Sequence, residues 1–452
     1  MTPHVANSVR NRIDGLRTTL REDGLLRTVL KNAGWLTGSS GLVVLFATIQ
    51  GILTARMLGV AVWGLVALAS SFCGVIGKLL SFRMNDFVVK WVTQLNEEDS
   101  DKAATVFRLA LVADVATSLT AFLLAEVLAT WGAATFAHDV TMVWLFRWLA
   151  ITVALQAGRE SFQGMLQVTR TFRSLSAVRA GVQIASTAAM VVVFFAGWGL
   201  TGVVVVLVSV DVVTNLLIWI IGLRAANGLL PRGWLMSRMA KLGDLRRDMA
   251  GFAVLTNIGA TFKIVLDQGD ILLLGIFRSP AEVAFYKLAK SITTVVYVPM
   301  MPIVDASYPE FSLAAAQARW PDFRRLMRRG SKVSAAWFVP ATIGAALIAP
   351  VVISATYGPS FVPAVPVLAV LLIGVAVDGI MFWSGSALLS LGQPGYLTRV
   401  GVATAALRLV LALLLVPQGG VIAMAAAAVV SIVFMNGLSA LRIYKSIPAA
   451  DA

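Results

Sequence analysis

Six basic residues interrupt stretches of this chain that are otherwise apolar: Lys78, Arg147, Lys263, Lys287, Lys290 and Arg408. Each stretch is long enough to cross a bilayer, so each charge would sit at membrane depth. A cation at the bilayer centre costs roughly 2.5–3.5 kcal/mol on insertion scales. That cost is tolerated where the charge faces a wet cavity, a counter-ion or an anionic ligand. Together the six predict a transporter with a cationic cavity.

The acids and amides around them sharpen the chemistry. Lys263, Asp267 and Asp270 recur at i, i+4 and i+7, on one helix face. As a functional face, the lysine would contact phosphate and the aspartates would hold a proton or sodium ion. As structure, the same face is a salt bridge that locks the helix. Lys287, Lys290, Ser291, Thr294 and Tyr297 form a polar stripe on the next span. Its lysines, one turn apart, repel each other, so Asp267, Asp270 or a diphosphate belongs nearby. Lys287 starts near the outer surface, where snorkelling would also serve it.

Gln156, Glu160, Gln163 and Gln167 follow helical spacing too. Amides both donate and accept, which suits sugar hydroxyls, and equally suits a hydrogen-bonded seam between helices. Arg159 beside them reads as an anchor at the membrane interface. Asp114, Asp211 and Asp378 are isolated acids within apolar runs. Asp378 is the expected partner of Arg408, because their spans are consecutive. Trp35, Trp63, Trp131, Trp198 and Trp337 lie near span ends, where an interfacial belt is expected.

The elements that must position these groups follow from composition. Of 452 residues, 58% are hydrophobic and 13% charged, which excludes a soluble globular chain and excludes disorder. Apolar segments fall at about 35–57, 62–84, 104–127, 141–163, 175–196, 200–222, 252–277, 282–304, 334–356, 364–388, 399–416 and 420–441. The expected fold is an all-α polytopic membrane protein of about twelve transmembrane helices in two six-helix lobes. The formal charge of +14 suggests nucleic acid only until it is located: the Lys and Arg cluster in alternate loops. That alternation sets membrane orientation, with both termini cytoplasmic, and leaves no case for nucleic acid. The single cysteine and two histidines offer no disulfide and no metal site. The first thirty residues are polar and basic, unlike a signal peptide.

The domain reading is a cytoplasmic amphipathic segment at 1–33, a lobe at 34–223, a basic linker at 224–250, a second lobe at 251–441 and a tail at 442–452. Residues 5–32 read as an interfacial helix on anionic lipid. Ala61, Leu68, Ala69 and Ser71 reappear as Ala281, Leu288, Ala289 and Ser291, an offset of 220, and Gly199 matches Gly420 near the end of each half. Two parallel lobes with a site between them are the expected consequence.

Thr54-Ala55-Arg56-Met57-Leu58-Gly59, then Trp63-Gly64-Leu65 and Leu68-Ala69, resemble the first hairpin of the polysaccharide and O-antigen flippases. These belong to the multidrug/oligosaccharidyl-lipid/polysaccharide (MOP) exporter superfamily. The resemblance continues through Asp270-Ile271-Leu272-Leu273-Leu274-Gly275, Phe285-Tyr286-Lys287-Leu288-Ala289, Tyr357-Gly358 and Pro417-Gln418-Gly419-Gly420. It implies a non-enzymatic, two-lobed transporter of undecaprenyl-diphosphate-linked oligosaccharide in the bacterial inner membrane, working by alternating access. Polysaccharide polymerase or export machinery would be its partner, and H+ or Na+ coupling stays open. The family usually has Gly after the Phe that ends the second span; here the run is Phe82-Arg83-Met84.

The same residues bear on other functions. A multidrug or cation antiporter of this fold wants acidic or aromatic cavities, and here intramembrane bases balance acids. A peptidoglycan-precursor flippase usually has two further spans. A glycan-polymerising enzyme needs a sizeable outer loop, and the outer loops are short. A non-transporting partner of a glycan-assembly complex is compatible with the basic loops.

Overall fold

The computed structural model describes the backbone of residues 24–81, 83–236, 242–243 and 245–448, and their side chains except at 24–40, 246, 253–267, 302–303 and 305–306. Most of the expected interfacial segment, and the side chains of Lys263 and Asp267, therefore lie outside the described residues. Every regular element among the described residues is helical. Hydrocarbon offers backbone groups no water, and a helix satisfies its own.

In chain order the helices are α1 (Gly24–Leu80), α2 (Met84–Glu98), α3 (Ser100–Gly132), α4 (Val143–Leu155), α5 (Arg159–Val168), α6 (Phe172–Ala196) and α7 (Gly199–Leu229) in the first half. The second half has α8 (Leu245–Phe277), α9 (Pro280–Tyr297), α10 (Met301–Ala316), α11 (Trp320–Thr356), α12 (Ala364–Ile380), α13 (Trp383–Ser390) and α14 (Pro394–Ser446). α1 folds back at Gly59 (φ 72°) and α14 at Gly420 (φ 58°), conformations that a side chain would strain. Each therefore supplies two crossings. With α2 continuing the second arm of α1, and α4–α5, α9–α10 and α12–α13 each forming one interrupted crossing, the described residues make twelve crossings, six in each half. Gly199 and Gly420 share positive φ before the last crossing of their halves, as the internal repeat predicts.

Arg83 occupies the position where the flippase resemblance leads one to expect glycine. Its φ is 49°, in the left-handed region, and its side chain pairs with Asp86 at 2.9 Å. The backbone geometry that favours glycine is thus present, held here by an arginine tied back to its own helix.

Alternate crossings bring Arg173, Arg224, Arg319, Arg324, Arg325, Arg328 and Arg329 to one end of the bundle, the basic end. Gly59, Trp198, Pro280 and Gly420 lie at the opposite end. There one apolar core joins the two halves, with Trp63, Leu68 and Phe72 of α1 against Leu288 of α9, Ile353 of α11, Phe361 and Leu368. Towards the basic end the core divides. Phe107, Phe162 and Trp234 pack the first half, and Phe311, Phe323, Trp383 and Ile443 the second, in separate clusters. The start of α8 still reaches across: Leu245, Met249 and Phe252 pack with the first-half cluster, and the Phe252 ring lies 4.1 Å from Lys90 Nζ on α2. The halves are joined at the Gly59 end and part towards the basic end.

The fourth crossing of each half is interrupted midway. Between α4 and α5 the chain turns at Gly158, and neighbours take up the freed groups. Asp114 on α3 accepts from the Ser161 amide at 2.9 Å and its hydroxyl at 3.0 Å. The Ala157 carbonyl accepts from Trp219 Nε1 at 2.9 Å and Asn215 Nδ2 at 3.3 Å. Between α12 and α13 the Ile380 carbonyl accepts from the Ser331 hydroxyl at 2.9 Å, which in turn accepts from Trp383 Nε1 at 2.7 Å. Such breaks persist at membrane depth only where protein lines them.

Candidate functional site

Asp270 is the centre of a charge cluster in the second half. It stands on α8, 1% exposed. Its Oδ2 accepts from the Tyr286 hydroxyl at 2.7 Å, and lies 3.6 Å from Lys290 Nζ and 3.5 Å from Arg408 Nη1. Tyr286 and Lys290 are four residues apart on α9, so one helix face presents both. Arg408 comes from the first arm of α14 and is fixed from behind. Its Nε donates to Ser431 Oγ at 2.8 Å, and Ser431 is itself bonded to the Ala427 carbonyl at 2.7 Å. Two cations from different helices thus converge on one buried carboxylate oxygen. Asp270 Oδ1 has no hydrogen-bond partner among the described residues. Lys290 keeps about a third of its side chain exposed (35%), against 11% for Arg408.

The expected Arg408–Asp378 pair does not form. Asp378 accepts from Asn436 Nδ2 at 3.1 Å, and Asn436 accepts from Ser384 at 2.7 Å. The reason is helix adjacency. The first arm of α14 packs on α8, whereas its second arm packs on α12, where a Cβ at Gly374 would meet Val429 and Ile432. Consecutive spans are therefore not neighbours at the depth of these charges.

A second polar region lies in the first half. Lys78, Gln156, Glu160, Gln163 and Asp211 line a cavity of about 470 Å³ that Gln268 of α8 also borders. Lys78 is exposed on its wall, with no carboxylate in ion-pair range among the described residues. The glutamine stripe spans the α4–α5 break, so Gln156 and Glu160 belong to different helices and still reach one cavity. Gln163 accepts from Arg179 at 3.2 Å. Glu160 Oε2 and Gln268 Oε1 are buried without a partner among the described residues. Arg159, expected at the membrane interface, instead pairs with Asp211 at 2.9 Å.

Arg147 and Lys287 lie elsewhere. Arg147 is 57% exposed and sits 3.7 Å from Glu126 on α3. On α4 it points away from Leu149, Thr152 and Val153, which face the cavity, so it joins neither polar region. Lys287 has its Nζ 5.2 Å from the ring centroid of Trp63. Trp63 is not in an interfacial belt: it is 5% exposed at the junction of the halves, with Phe361 at 5.7 Å and Tyr357 at 6.3 Å between ring centroids. Arg56, at the end of the first arm of α1, donates to the carbonyls of Ala355 and Thr356 at the end of α11.

Sequence reasoning did not single out Tyr286 or Ser431 as members of the cluster. The spacing of Tyr286 to Lys290 was the available signal. Ser431 carried none, being one hydroxyl in an alanine-rich run.

Comparisons with known proteins agree with this architecture. A family model described as a polysaccharide biosynthesis protein matches residues 29–314. No curated protein matches the sequence. Among solved structures the chain is similar to the lipid II flippase MurJ in an inward closed conformation, with TM-score 0.69 at 11% identity over 93% of this chain and 88% of that one. It is similar to an inward-facing multidrug resistance MATE family transporter of the MOP superfamily, with TM-score 0.68 at 13% identity over 89% and 95% of the two chains. An outward-facing MATE family transporter of that superfamily gives 0.59 at 12% identity over 92% and 97%. At such identities the likeness carries the fold alone.

Proposed function

Because the chain belongs to the polysaccharide biosynthesis protein family and has the fold of MOP-superfamily transporters, we propose that it flips undecaprenyl-diphosphate-linked oligosaccharide by alternating access. The direction is from the cytoplasmic to the outer leaflet of a bacterial inner membrane, with the basic end and both termini cytoplasmic. The observation that carries this reading is the convergence of Lys290 and Arg408 on Asp270, in a bundle whose halves part towards the basic end.

A diphosphate entering from that end competes with Asp270 for both cations. Arg408 offers planar, paired donors and Lys290 a mobile point charge, the two modes by which proteins hold phosphate. Lys263 and Asp267 share a helix face with Asp270 by spacing. Once displaced, Asp270 is a buried anion without its cations and takes up a proton or sodium ion; Asp267 and Asp378 are the other acids able to do so. The sugars meet the wall formed by Lys78, Gln156, Glu160 and Gln163, where the unpartnered Glu160 Oε2 and the neighbouring Gln268 Oε1 suit hydroxyl donors. The lipid tail stays in the bilayer while the lobes, 34–223 and 251–441, rock about the site. Anionic lipids gather at the basic end, and a polysaccharide polymerase or exporter takes the product.

The test is transport of a fluorescent undecaprenyl-diphosphate oligosaccharide in proteoliposomes by native protein and by Lys290→Ala. Native transport that the substitution abolishes, with folding retained, supports the reading. Absence of native transport across several glycans overturns it.

A further inference from the structure

We infer that Lys287 is a second diphosphate contact, on the exit side, which Trp63 covers while the halves are joined and uncovers when they part. The identity of the ligand rests on the flippase reading above; the anion chemistry rests on the geometry.

Lys287 lies three residues from Lys290 on α9, towards the Gly59 end, about 4.5 Å further along the helix axis. Unlike Lys290 and Arg408, it has no carboxylate in ion-pair range among the described residues. Its ammonium faces the Trp63 ring at 5.2 Å. A ring face attracts a cation, yet more weakly than a phosphate does. Trp63 is therefore a cover that an anion can replace.

Which half each group belongs to decides what happens on opening. Trp63 is on the second arm of α1, in the first half. The groups around it, Tyr357, Phe361 and Lys287, all belong to the second half. Trp63 is seated there by its neighbours as well. A side chain at Gly64 would come within 1.8 Å of the Pro280 carbonyl oxygen, so the two backbones touch. Arg56 caps the last carbonyls of α11 across the same junction. Every one of these contacts crosses the dividing surface. When the halves part at this end, Trp63 leaves with the first half and Lys287 stays with the second.

Opening then creates an unpaired ammonium beside the cleft, one turn beyond the cation that held the diphosphate in the joined state. An unpaired charge in poorly solvated surroundings draws an anion strongly. The diphosphate moves from Lys290 and Arg408 to Lys287, and Asp270 regains its partners behind it. On closing, the Trp63 ring returns over Lys287 and displaces the anion outward. Lys287 serves the outward-open half of the cycle, and Trp63 couples its availability to the gate.

Two measurements on the full chain in oriented proteoliposomes test this. In the first, lipid-linked oligosaccharide transport and the affinity for inorganic pyrophosphate added at the basic end are compared for Lys287→Met, Lys287→Arg and Lys290→Ala. Lys287→Met is expected to slow transport about tenfold, the loss of one charge-assisted hydrogen bond, with pyrophosphate affinity unchanged and Lys287→Arg restoring the rate. In the second, an impermeant amine reagent is applied at the Gly59 end and Lys287 modification is read by mass spectrometry. Trp63→Ala, or Trp63→Leu should Ala impair folding, is expected to expose Lys287, and inorganic pyrophosphate on that side to protect it. Native transport rates in Lys287→Met overturn the inference. So does a loss of basic-end pyrophosphate affinity equal to that of Lys290→Ala, which would place Lys287 in the central site. Exposure of Lys287 without protection by pyrophosphate also overturns it. A native protein that moves no lipid-linked glycan defeats the flippase reading, and the protection measurement still decides the anion contact.

Discussion

Asp270 and Arg408, 138 positions apart, meet at 3.5 Å on the same carboxylate oxygen that Tyr286 and Lys290 reach. Asp270 is the acceptor that Tyr286, Lys290 and Arg408 share, so removing it takes three interactions away at once, on the order of the 3–5 kcal/mol that breaking a buried pair costs. Asp270→Ala is therefore expected to destabilise the protein by that order. Tyr286→Phe removes only one hydrogen bond to a charged group, about 1.5–3 kcal/mol. Thermal unfolding in lipid nanodiscs ranks the two, and a larger loss for Tyr286→Phe would contradict the role of Asp270 as the shared counter-ion.

The Asp114 carboxylate on α3 serves a different purpose, since it closes the N-terminus of α5 rather than meeting a cation. Asp114→Ala leaves the Ser161 amide unpaired at membrane depth, at a cost of about 1–3 kcal/mol. Asp114→Asn keeps an acceptor in place and is expected to lose less. Hydrogen exchange supplies the check. The amides of Ser161 and Phe162 should lose protection in the alanine variant, while those of α4 keep theirs. Equal exchange in native and Asp114→Ala protein would remove the cap from the account.

How much of this was legible beforehand depends on what each feature responds to. The twelve crossings answer to the bilayer, which imposes length and apolarity on every span, so the sequence states them directly. The repeat was visible because Gly199 and Gly420 mark equivalent turns. Gln156, Glu160 and Gln163 were read as one stripe and do reach one cavity, but through a broken helix; Gly158, at positive φ within an apolar run, was the unused sign of that break. The partner of Arg408 was misread because pairing depends on which helices are neighbours, and sequence order is a poor guide to that within a lobe. Trp63 was read as an interfacial residue for the same reason. Nothing local distinguishes a tryptophan at the lipid boundary from one wedged between two lobes.

Arg147 separates membrane-depth charge from function. Its partner is Glu126, both side chains retain exposure, and neither polar region includes it. Exposed pairs contribute about 0–1 kcal/mol. Arg147→Gln is therefore expected to leave transport within about twofold of native, whereas Lys290→Gln abolishes it. Parallel transport assays on the two variants decide the matter. An inactive, well-folded Arg147→Gln would mean that the site extends to α4's outer face.

Gly64 tests the gate without touching a charge. Any Cβ there would lie 1.8 Å from the Pro280 carbonyl oxygen, and backbone cannot yield as a flexible side chain can. Gly64→Ala must push the two halves apart at the Gly59 end, while the separate cores nearer the basic end are untouched. Packed interfaces are bistable, so the relief expected is a shift of population towards the state open at the Gly59 end. A cysteine placed at Ser291, one turn deeper than Lys287 as seen from the Gly59 end, would report it through faster reaction with an impermeant thiol reagent from that side. The background would be Cys73→Ala, which removes the chain's single native cysteine. Overpacking of this kind costs roughly 1–3 kcal/mol, and each 1.4 kcal/mol moves a two-state ratio tenfold, so reactivity should rise about tenfold or more. Gly51→Ala is the control: a Cβ there would sit 4.0 Å from the Tyr357 hydroxyl, ordinary contact, and reactivity should not change. If Gly64→Ala leaves Ser291→Cys as slow as in the parent, the contact of Gly64 with Pro280 does not hold this end shut.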